Sequence, residues 1–354
     1  MNTKIDASPR CSVIIVGYNS ASDLPTCLQH LIAQAYPDFE IILVDNASID
    51  ETEIIAKEYQ CSIRYLRLNK NIGFAAGNNA GAAIANGDIL VFLNPDTQPQ
   101  PGWLAELVRP LCQEPNIGMT TSRVLLADRP NLINACGNDI TWTGITVCRG
   151  LEDVATNWET SSDVAAVSGA SFAIPRVLFK ELGGFDTSFF LYFEDTDLSL
   201  RTQLMGYRLL YVSSSIVTHR YRFKFSPQKA YYQERNRWLA LFKTLRVPTL
   251  LILLPGLLLG EVMAWVYAAT QGPAHLKAKF RSWSWLWHHR QKIQAQRRKT
   301  NAQRRVHDRA ILRHWSPHLR FAGTMPDLPA QILEHTTAIL LKGYGRLCQR
   351  LAIW

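Results

Sequence analysis

The stretch SVIIVGYNSASDLPTCLQHLIAQAYPDFEIILVDNASID, Ser12–Asp50, decides the fold. SVIIVGY is a short apolar, β-branched run that ends at Asn19, which predicts a buried strand. From Asp23 to about Gln34 the residues Leu24, Leu28, Leu31 and Ile32 recur on one face of a helix. EIILVD (Glu40–Asp45) is a second apolar strand, and Asp50 is placed to cap a helix over Glu51–Tyr59. Strands alternating with helices of this length predict a parallel sheet, whose neighbouring strands need helical crossovers between them.

The same rhythm runs outward from there. SIRYLRL (Ser62–Leu68) alternates as a third strand, an Ala-rich helix covers about Ala75 to Ala85, and DILVFLN (Asp88–Asn94) is a fourth strand. The expected fold class is therefore α/β, with a mostly parallel, doubly wound sheet. After Pro115 the pattern loosens, with short strands expected at Gly118–Val124, Ala170–Ile174 and Arg208–Val212 and a helix over Thr196–Met205. From about Gln228 the chain reads as helical and amphipathic, leading into the apolar run Val247–Thr270. Two domains are expected: 1–225, with halves of about 10–115 and 116–225, and a helical region 226–354.

Charge divides the chain in nearly the same place. Of 354 residues, 47% are hydrophobic and 19% charged, an ordinary globular balance. The net charge of +9 is unevenly spread: residues 1–244 carry −4 and residues 245–354 carry +13. Seven scattered cysteines without metal-type spacing fit a reducing compartment. The opening MNTKIDASPRCS has no apolar core of a signal peptide, so a cytosolic catalytic region is expected.

In open α/β sheets ligands bind beyond the carboxyl ends of the strands, and polar residues collect at those ends here. Tyr18 and Asn19 follow the first strand, Asp45 and Ser48 the second, and Asn94 and Asp96 the fourth. Asp45 is able to accept from a base N–H or a ribose hydroxyl, or simply to cap the next helix. Asp96, in the turn NPDTQPQPGW, offers a hard oxygen for Mg2+ or Mn2+, or merely serves a proline-rich turn. GFAAGNNAG (Gly73–Gly81) is small enough for backbone to approach a ligand at Gly73 and Asn78, or for helices to pack closely. The densest constellation is GGFDTSFFLYFEDTDLSLR (Gly183–Arg201), where Glu194, Asp195 and Asp197 follow an aromatic run. Carboxyls beside aromatics hold their protons more tightly, which suits a general base, while Asp195 as a helix N-cap is the plainer reading. His219 in IVTHRYR is a lone histidine, more often structural than functional.

Together VGYN (Val16–Asn19), VDNASID (Val44–Asp50), NIGFAAGNN (Asn71–Asn79), LNPD (Leu93–Asp96), SGA (Ser168–Ala170), the Gly183–Arg201 segment and His219 resemble the family 2 glycosyltransferases of the GT-A fold. The likeness is greatest to the rhamnosyltransferase-like branch of bacterial O-antigen, capsule and cell-wall synthesis. The resemblance implies that Asp45 holds the nucleotide base with Asn19 nearby. It implies that Asp96 binds the metal with help from His219, with Asn94 at the first position of the family's Asp-X-Asp motif. It makes Asp195 the catalytic base, with Glu194 and Asp197 supporting the acceptor and the base. The implied reaction is an inverting, Mn2+- or Mg2+-dependent transfer from a nucleotide-sugar donor, thymidine-diphosphate rhamnose or a uridine-diphosphate sugar, to a lipid-linked or polysaccharide acceptor. A nucleotidyltransferase would need an early basic phosphate loop, and Val16–Thr26 has no Lys or Arg. A catalytically inactive nucleotide-binding scaffold is the other alternative, disfavoured by the presence of Asp96, Asp195 and His219.

The 24-residue run Val247–Thr270 is long enough to span a bilayer, yet it contains Pro248, Pro255, Gly256, Gly260 and Glu261. Between Lys277 and Arg305 stand ten Lys+Arg and no acid, and basic residues also precede the run. By the positive-inside rule both flanks are cytoplasmic, which predicts monotopic or peripheral attachment to the cytoplasmic face of the inner (plasma) membrane. Trp283, Trp285 and Trp287 suit the headgroup region, and the basic stretch suits an anionic membrane surface in place of nucleic acid. A helix buried against the rest of the protein is the alternative, and the oligomeric state is open.

Overall fold

The computed structural model describes residues 9–221, 226–319 and 327–353. In chain order the elements begin β1 (Cys11–Gly17), α1 (Leu24–Ile32), β2 (Phe39–Asp45), α2 (Thr52–Glu58), β3 (Arg64–Arg67), α3 (Phe74–Ile84) and β4 (Ile89–Leu93). There follow β5 (Thr97–Pro99), α4 (Trp103–Gln113), β6 (Ile117–Leu126), β7 (Ile133–Ala135), β8 (Asn138–Ile140), β9 (Thr146–Cys148), β10 (Ser162–Asp163), β11 (Ser171–Pro175), α5 (Arg176–Leu182), α6 (Glu194–Leu204) and β12 (Arg208–His219). The helices α7 (Pro227–Thr244), α8 (Val247–Thr270), α9 (Pro273–His288), α10 (Arg290–Gln303), α11 (Asp308–Leu312) and α12 (Asp327–Leu351) complete the chain.

The chain forms two compact units. The first comprises Met1–Gly137, Cys148–Leu198 and Tyr207–Arg222, and the second Asn138–Val147, Ser199–Gly206 and Phe223–Trp354. The boundary expected after residue 225 touches residues 222–225, which lie outside the described residues.

The first unit is built on a sheet of order β10-β12-β6-β11-β4-β1-β2-β3, with β5 paired to β12 and β7 to β6. Strands β3, β2, β1 and β4 are parallel, as the alternating pattern predicts. Strand β11 runs antiparallel between β4 and β6, and β6 and β12 are parallel again. The sheet is thus mixed. A strand buried on both faces reads as one apolar run in either direction, so its sense is not written in its composition. Strand β12 is also longer than Arg208–Val212, because after an irregularity between Val212 and Ile216 it resumes pairing and carries His219. The core packs around fully buried Trp103, whose indole N–H donates to Ser122 and Ser171. A cluster of Phe92, Phe172, Phe179 and Phe185 packs on the opposite face of the sheet.

In the second unit the apolar run is one helix, α8, the single helix among the described residues long and apolar enough to cross a membrane. Its glycines serve packing: a Cβ on Gly256 would meet the Trp142 carbonyl at 2.4 Å, and one on Gly260 the Thr143 carbonyl at 2.8 Å. The 142–143 backbone therefore crosses α8 where side chains are missing. Trp142 in turn packs on Trp315 and Tyr344. Glu261, the one acid of α8, joins a buried cluster with Glu234, Arg237 and Lys279. The indole N–H groups of Trp238, Trp265 and Trp283 also donate to it.

Candidate active site

The carboxyl ends of β1, β2 and β4 share one edge of the sheet. Parallel pairing aligns Gly17 with Asp45 and Ile15 with Leu93, so the polar residues that follow each strand converge there. Asp45 is fully buried. Its Oδ1 accepts from the Ser48 amide at 2.8 Å, and its Oδ2 accepts from Tyr65 Oη and Arg67 Nη1, both at 2.8 Å. Asp45 thus forms an internal turn with Ser48 and does not cap α2. Ser48 Oγ accepts from the Asn19 amide, and Asn19 Oδ1 accepts from the Ile49 amide. This exchange holds Asn19 at φ 53°, and Tyr18 stands half-exposed beside it. Asn46 bridges to the next loop: its amide group donates to Asn71 and to the Gly73 carbonyl, while its Oδ1 accepts from Ile72. Asn78 is buried and donates to the Phe74 carbonyl one turn back along its own helix.

Pairing of β5 with β12 sets Thr97 opposite His219, which brings the preceding residue, Asp96, within reach of the imidazole. Asp96 Oδ1 lies 3.1 Å from His219 Nε2. On the other side of the ring, Nδ1 lies 2.8 Å from Asn134 Oδ1. An amide oxygen there selects a proton on Nδ1, which turns the Nε2 lone pair toward the Asp96 carboxylate. Two acceptor atoms about 3 Å apart match the spacing of adjacent ligands of an octahedral ion with bonds of about 2.1 Å. The residues present therefore fit a divalent cation. Among the described residues no group of three or more His, Cys, Asp and Glu is placed to hold a metal ion. A cation here would have to complete its shell with oxygens from outside the protein.

The third part of the site is tied to the second through two consecutive residues. Ala170 accepts from the Asn94 amide at 3.0 Å, and Gly169 donates its N–H to Asp195 Oδ2 at 2.8 Å. A Cβ on Gly169 would stand 3.2 Å from that oxygen, so the approach favours glycine. Asp195 Oδ1 accepts from Thr196. The helix begins at Glu194, so Asp195 sits in its first turn and is not its N-cap. Two backbone donors aim the carboxylate, while burial pushes the Asp195 carboxyl above the ordinary carboxylate range. Burial, reinforced by the charge on Asp195, raises the Glu194 carboxyl strongly too, and Glu194 Oε2 is buried with no hydrogen-bond partner among the described residues. Glu194 and Asp197 are buried, whereas Asp195 keeps some accessible surface.

The approach to Asp195 is conformationally tense, since Phe190, Tyr192 and Phe193 have φ of 62°, 67° and 70°. Side chains rarely adopt this region unless their surroundings impose it. Here the Phe190 carbonyl accepts from the Phe74 amide at the start of α3, and Gly73 at φ 86° leaves the room it needs. The Gly73 loop and the Asp195 loop are thereby joined. Sequence reasoning missed Asn134 and the Gly169 amide, and also Tyr65 and Arg67. Gly169 lies in a quoted motif, but nothing local marks Asn134.

Comparison with known proteins identifies the family. Residues 12–142 match glycosyl transferase family 2, and residues 89–290, more than half of the chain, match glycosyl transferase family group 2. The chain belongs to the family 2 glycosyltransferases. Over 232 residues it is 28% identical to the O-antigen biosynthesis protein RfbC of Myxococcus xanthus, covering 61% of this chain and 18% of that protein. Over 246 residues it is 25% identical to the probable glycosyltransferase YdaM of Bacillus subtilis (strain 168), covering 65% of this chain and 54% of that protein. The chain thus spans under a fifth of the one relative and about half of the other. Among solved structures, GalNAc-T7 with UDP, GalNAc and Mn2+ superposes with a TM-score of 0.57 at 22% identity, over 66% of this chain and 48% of that one. The mannosyltransferase PcManGT from Pyrobaculum calidifontis, in complex with GDP-Man and Mn2+, gives 0.51 at 19% identity, over 98% and 86%. These two likenesses concern the fold, a GT-A-type α/β architecture.

Proposed function

We propose that this family 2 glycosyltransferase moves a sugar from a nucleotide-sugar donor to a hydroxyl of a lipid-linked or polysaccharide acceptor, with inversion. Thymidine-diphosphate rhamnose and uridine-diphosphate sugars are the first donors to test. The observation that carries the reading is the placement of two acidic centres on consecutive supports. Asp96 faces His219 at 3.1 Å, and Asp195 is aimed by Gly169, the neighbour of the residue that anchors Asn94.

In this reading the loops around Asn19, Asp45, Ser48 and Gly73 bind the nucleotide. Asp45, with both oxygens engaged, acts by fixing Ser48 and Arg67 around the base. Asp96 and His219 would hold Mn2+ or Mg2+, which supplies positive charge to the departing nucleoside diphosphate. Asp195 takes the proton of the acceptor hydroxyl as that oxygen bonds to the anomeric carbon and the bond to the diphosphate breaks. Glu194 and Asp197, both buried, set the charge environment of that base. Relatives such as RfbC, named for O-antigen biosynthesis, support an acceptor in cell-surface glycan assembly. The apolar α8 and the basic C-terminal third support work at the cytoplasmic face of the inner membrane, attached from one side.

The test is nucleoside diphosphate release from a panel of sugar nucleotides, with and without Mn2+, by the wild-type chain and by Asp195→Asn. Turnover of at least one donor that depends on both the metal and Asp195 is expected. Release indifferent to either would overturn the assignment.

A further inference from the structure

The second unit carries an apolar stripe and a cationic depression at one end of it. On α8 the residues Val247, Leu251, Leu254, Leu258, Val262 and Val266 are all exposed, and their spacing of three and four places them on one face. The opposite face, with Thr249, Leu253, Gly256 and Gly260, is buried in the unit. A helix on a soluble surface puts polar residues outward, so this outward face is inverted. Helix α12, which packs on α8 through Tyr344 and Cys348, adds exposed Ile339, Leu340, Leu347 and Leu351.

The start of α8 is marked by charge. The Arg246 amide donates to Asp308, and Asp308 is itself buried in an ion pair with Arg304. That neutralises the one acid in the stretch 262–319. The residues around it line an open depression of about 460 Å³, formed by Arg305, His307, Arg309 and Arg313 together with Val306, Ala310 and Ile353. All three of these arginines are exposed. Gln349 near the end of α12 donates to the Leu312 carbonyl, so the end of α12 is seated against the same depression.

We propose that this face is a docking surface for an anionic phospholipid bilayer, with α8 lying in the membrane plane and the Arg305, Arg309 and Arg313 depression taking a lipid phosphate. Acyl chains match the exposed stripe, and guanidinium groups match the phosphates at the depth where the stripe begins. A phosphate with an apolar neighbour matches a depression lined by both cationic and aliphatic side chains. The Glu261 cluster fixes the orientation, because it commits the inner face of α8 to protein and leaves one face for lipid. This deepens the membrane placement given above and is independent of the chemistry at Asp195.

The test is co-flotation of the full chain with phosphatidylcholine vesicles, with and without phosphatidylglycerol. Wild type should float with the anionic vesicles. The triple variant Arg305→Gln, Arg309→Gln, Arg313→Gln should lose roughly a hundredfold in affinity for anionic vesicles, with its melting temperature kept. Leu251→Asn with Leu258→Asn should also lose binding to the anionic vesicles. Wild type that stays at the bottom of the gradient, or a triple variant that floats unchanged, would overturn the proposal. So would competition by millimolar inorganic phosphate that fully releases the protein, because the depression would then be a soluble-anion site. A C-terminal reporter found on the far side of the membrane would replace the in-plane helix with a span. Donor turnover in detergent is read separately: vesicle binding without turnover removes the proposed reaction alone, and turnover without vesicle binding removes the docking surface alone.

Discussion

His219 Nε2 lies 3.1 Å from Asp96 Oδ1 because Thr97 and His219 are opposite residues of two antiparallel strands. The backbone register, not the turn around Asp96, makes the pair. Asp96→Ala should therefore abolish Mn2+-dependent donor binding, and His219→Ala should weaken it less. Asn134→Leu removes the partner of Nδ1 and should weaken Mn2+ affinity by roughly 10- to 100-fold. Titration calorimetry with donor and Mn2+ reads all three, and equal donor affinity in Asp96→Ala and wild type rejects the site.

Asp195→Asn keeps the shape of the side chain and removes the proton acceptor. Turnover should fall by roughly 10²- to 10⁴-fold while donor affinity stays near wild type. A turnover near normal would transfer the role to Glu194 or Asp197. The product anomer, read by NMR, should be inverted.

The raised carboxyls at 194 and 195 give two pH dependences of known sign. The base works deprotonated, so the acid limb of kcat/KM should lie above the ordinary carboxylate range. For stability, a carboxyl whose native pKa is raised binds more protons folded than unfolded between the two values. Stability is then lost as pH rises through that interval. Glu194→Gln should flatten this slope and raise the melting temperature at neutral pH. An unchanged slope in a pH series of thermal melts would count against the buried charge.

At Gly73 the backbone has φ 86° and a Cβ would meet the Phe190 carbonyl at 2.5 Å. Gly73→Ala should cost more than about 1 kcal/mol of stability and separate the nucleotide loop from the Asp195 loop. Chemical denaturation together with turnover checks this, since a purely structural glycine would lower stability and spare kcat in the folded fraction.

Glu261 serves Arg237, Lys279 and three indoles at once, and these cations hold its carboxyl at about 2 despite its burial. Removing one partner from a buried ion cluster leaves the others uncompensated, a cost of about 3–5 kcal/mol. Glu261→Gln should thus lower the melting temperature strongly. Lys279 belongs to this cluster and Arg304 pairs with buried Asp308, so two of the ten basic residues between Lys277 and Arg305 are ion-paired inside the unit. Replacing all ten with Gln would damage the fold as well as the charge.

What the sequence by itself determined was whatever rests on short spacing. The parallel strands from β1 to β4, their helices and the polar residues at their ends follow from apolar runs and caps separated by only a few residues. The 24-residue helix Val247–Thr270 follows from one predominantly apolar stretch. The motifs were enough to name the family, because each is contiguous. Tertiary structure alone decided how these pieces meet. The direction of β11, the extension of β12 to His219, the seat of His219 on Asn134 and the aiming of Asp195 by Gly169 all depend on pairings between distant segments. The glycines of α8, which read as helix weakeners, prove to be contact points for the backbone at 142–143. The physical reason is that local periodicity records which face of an element is buried, whereas register, strand sense and close approach are chosen by the partner that covers that face.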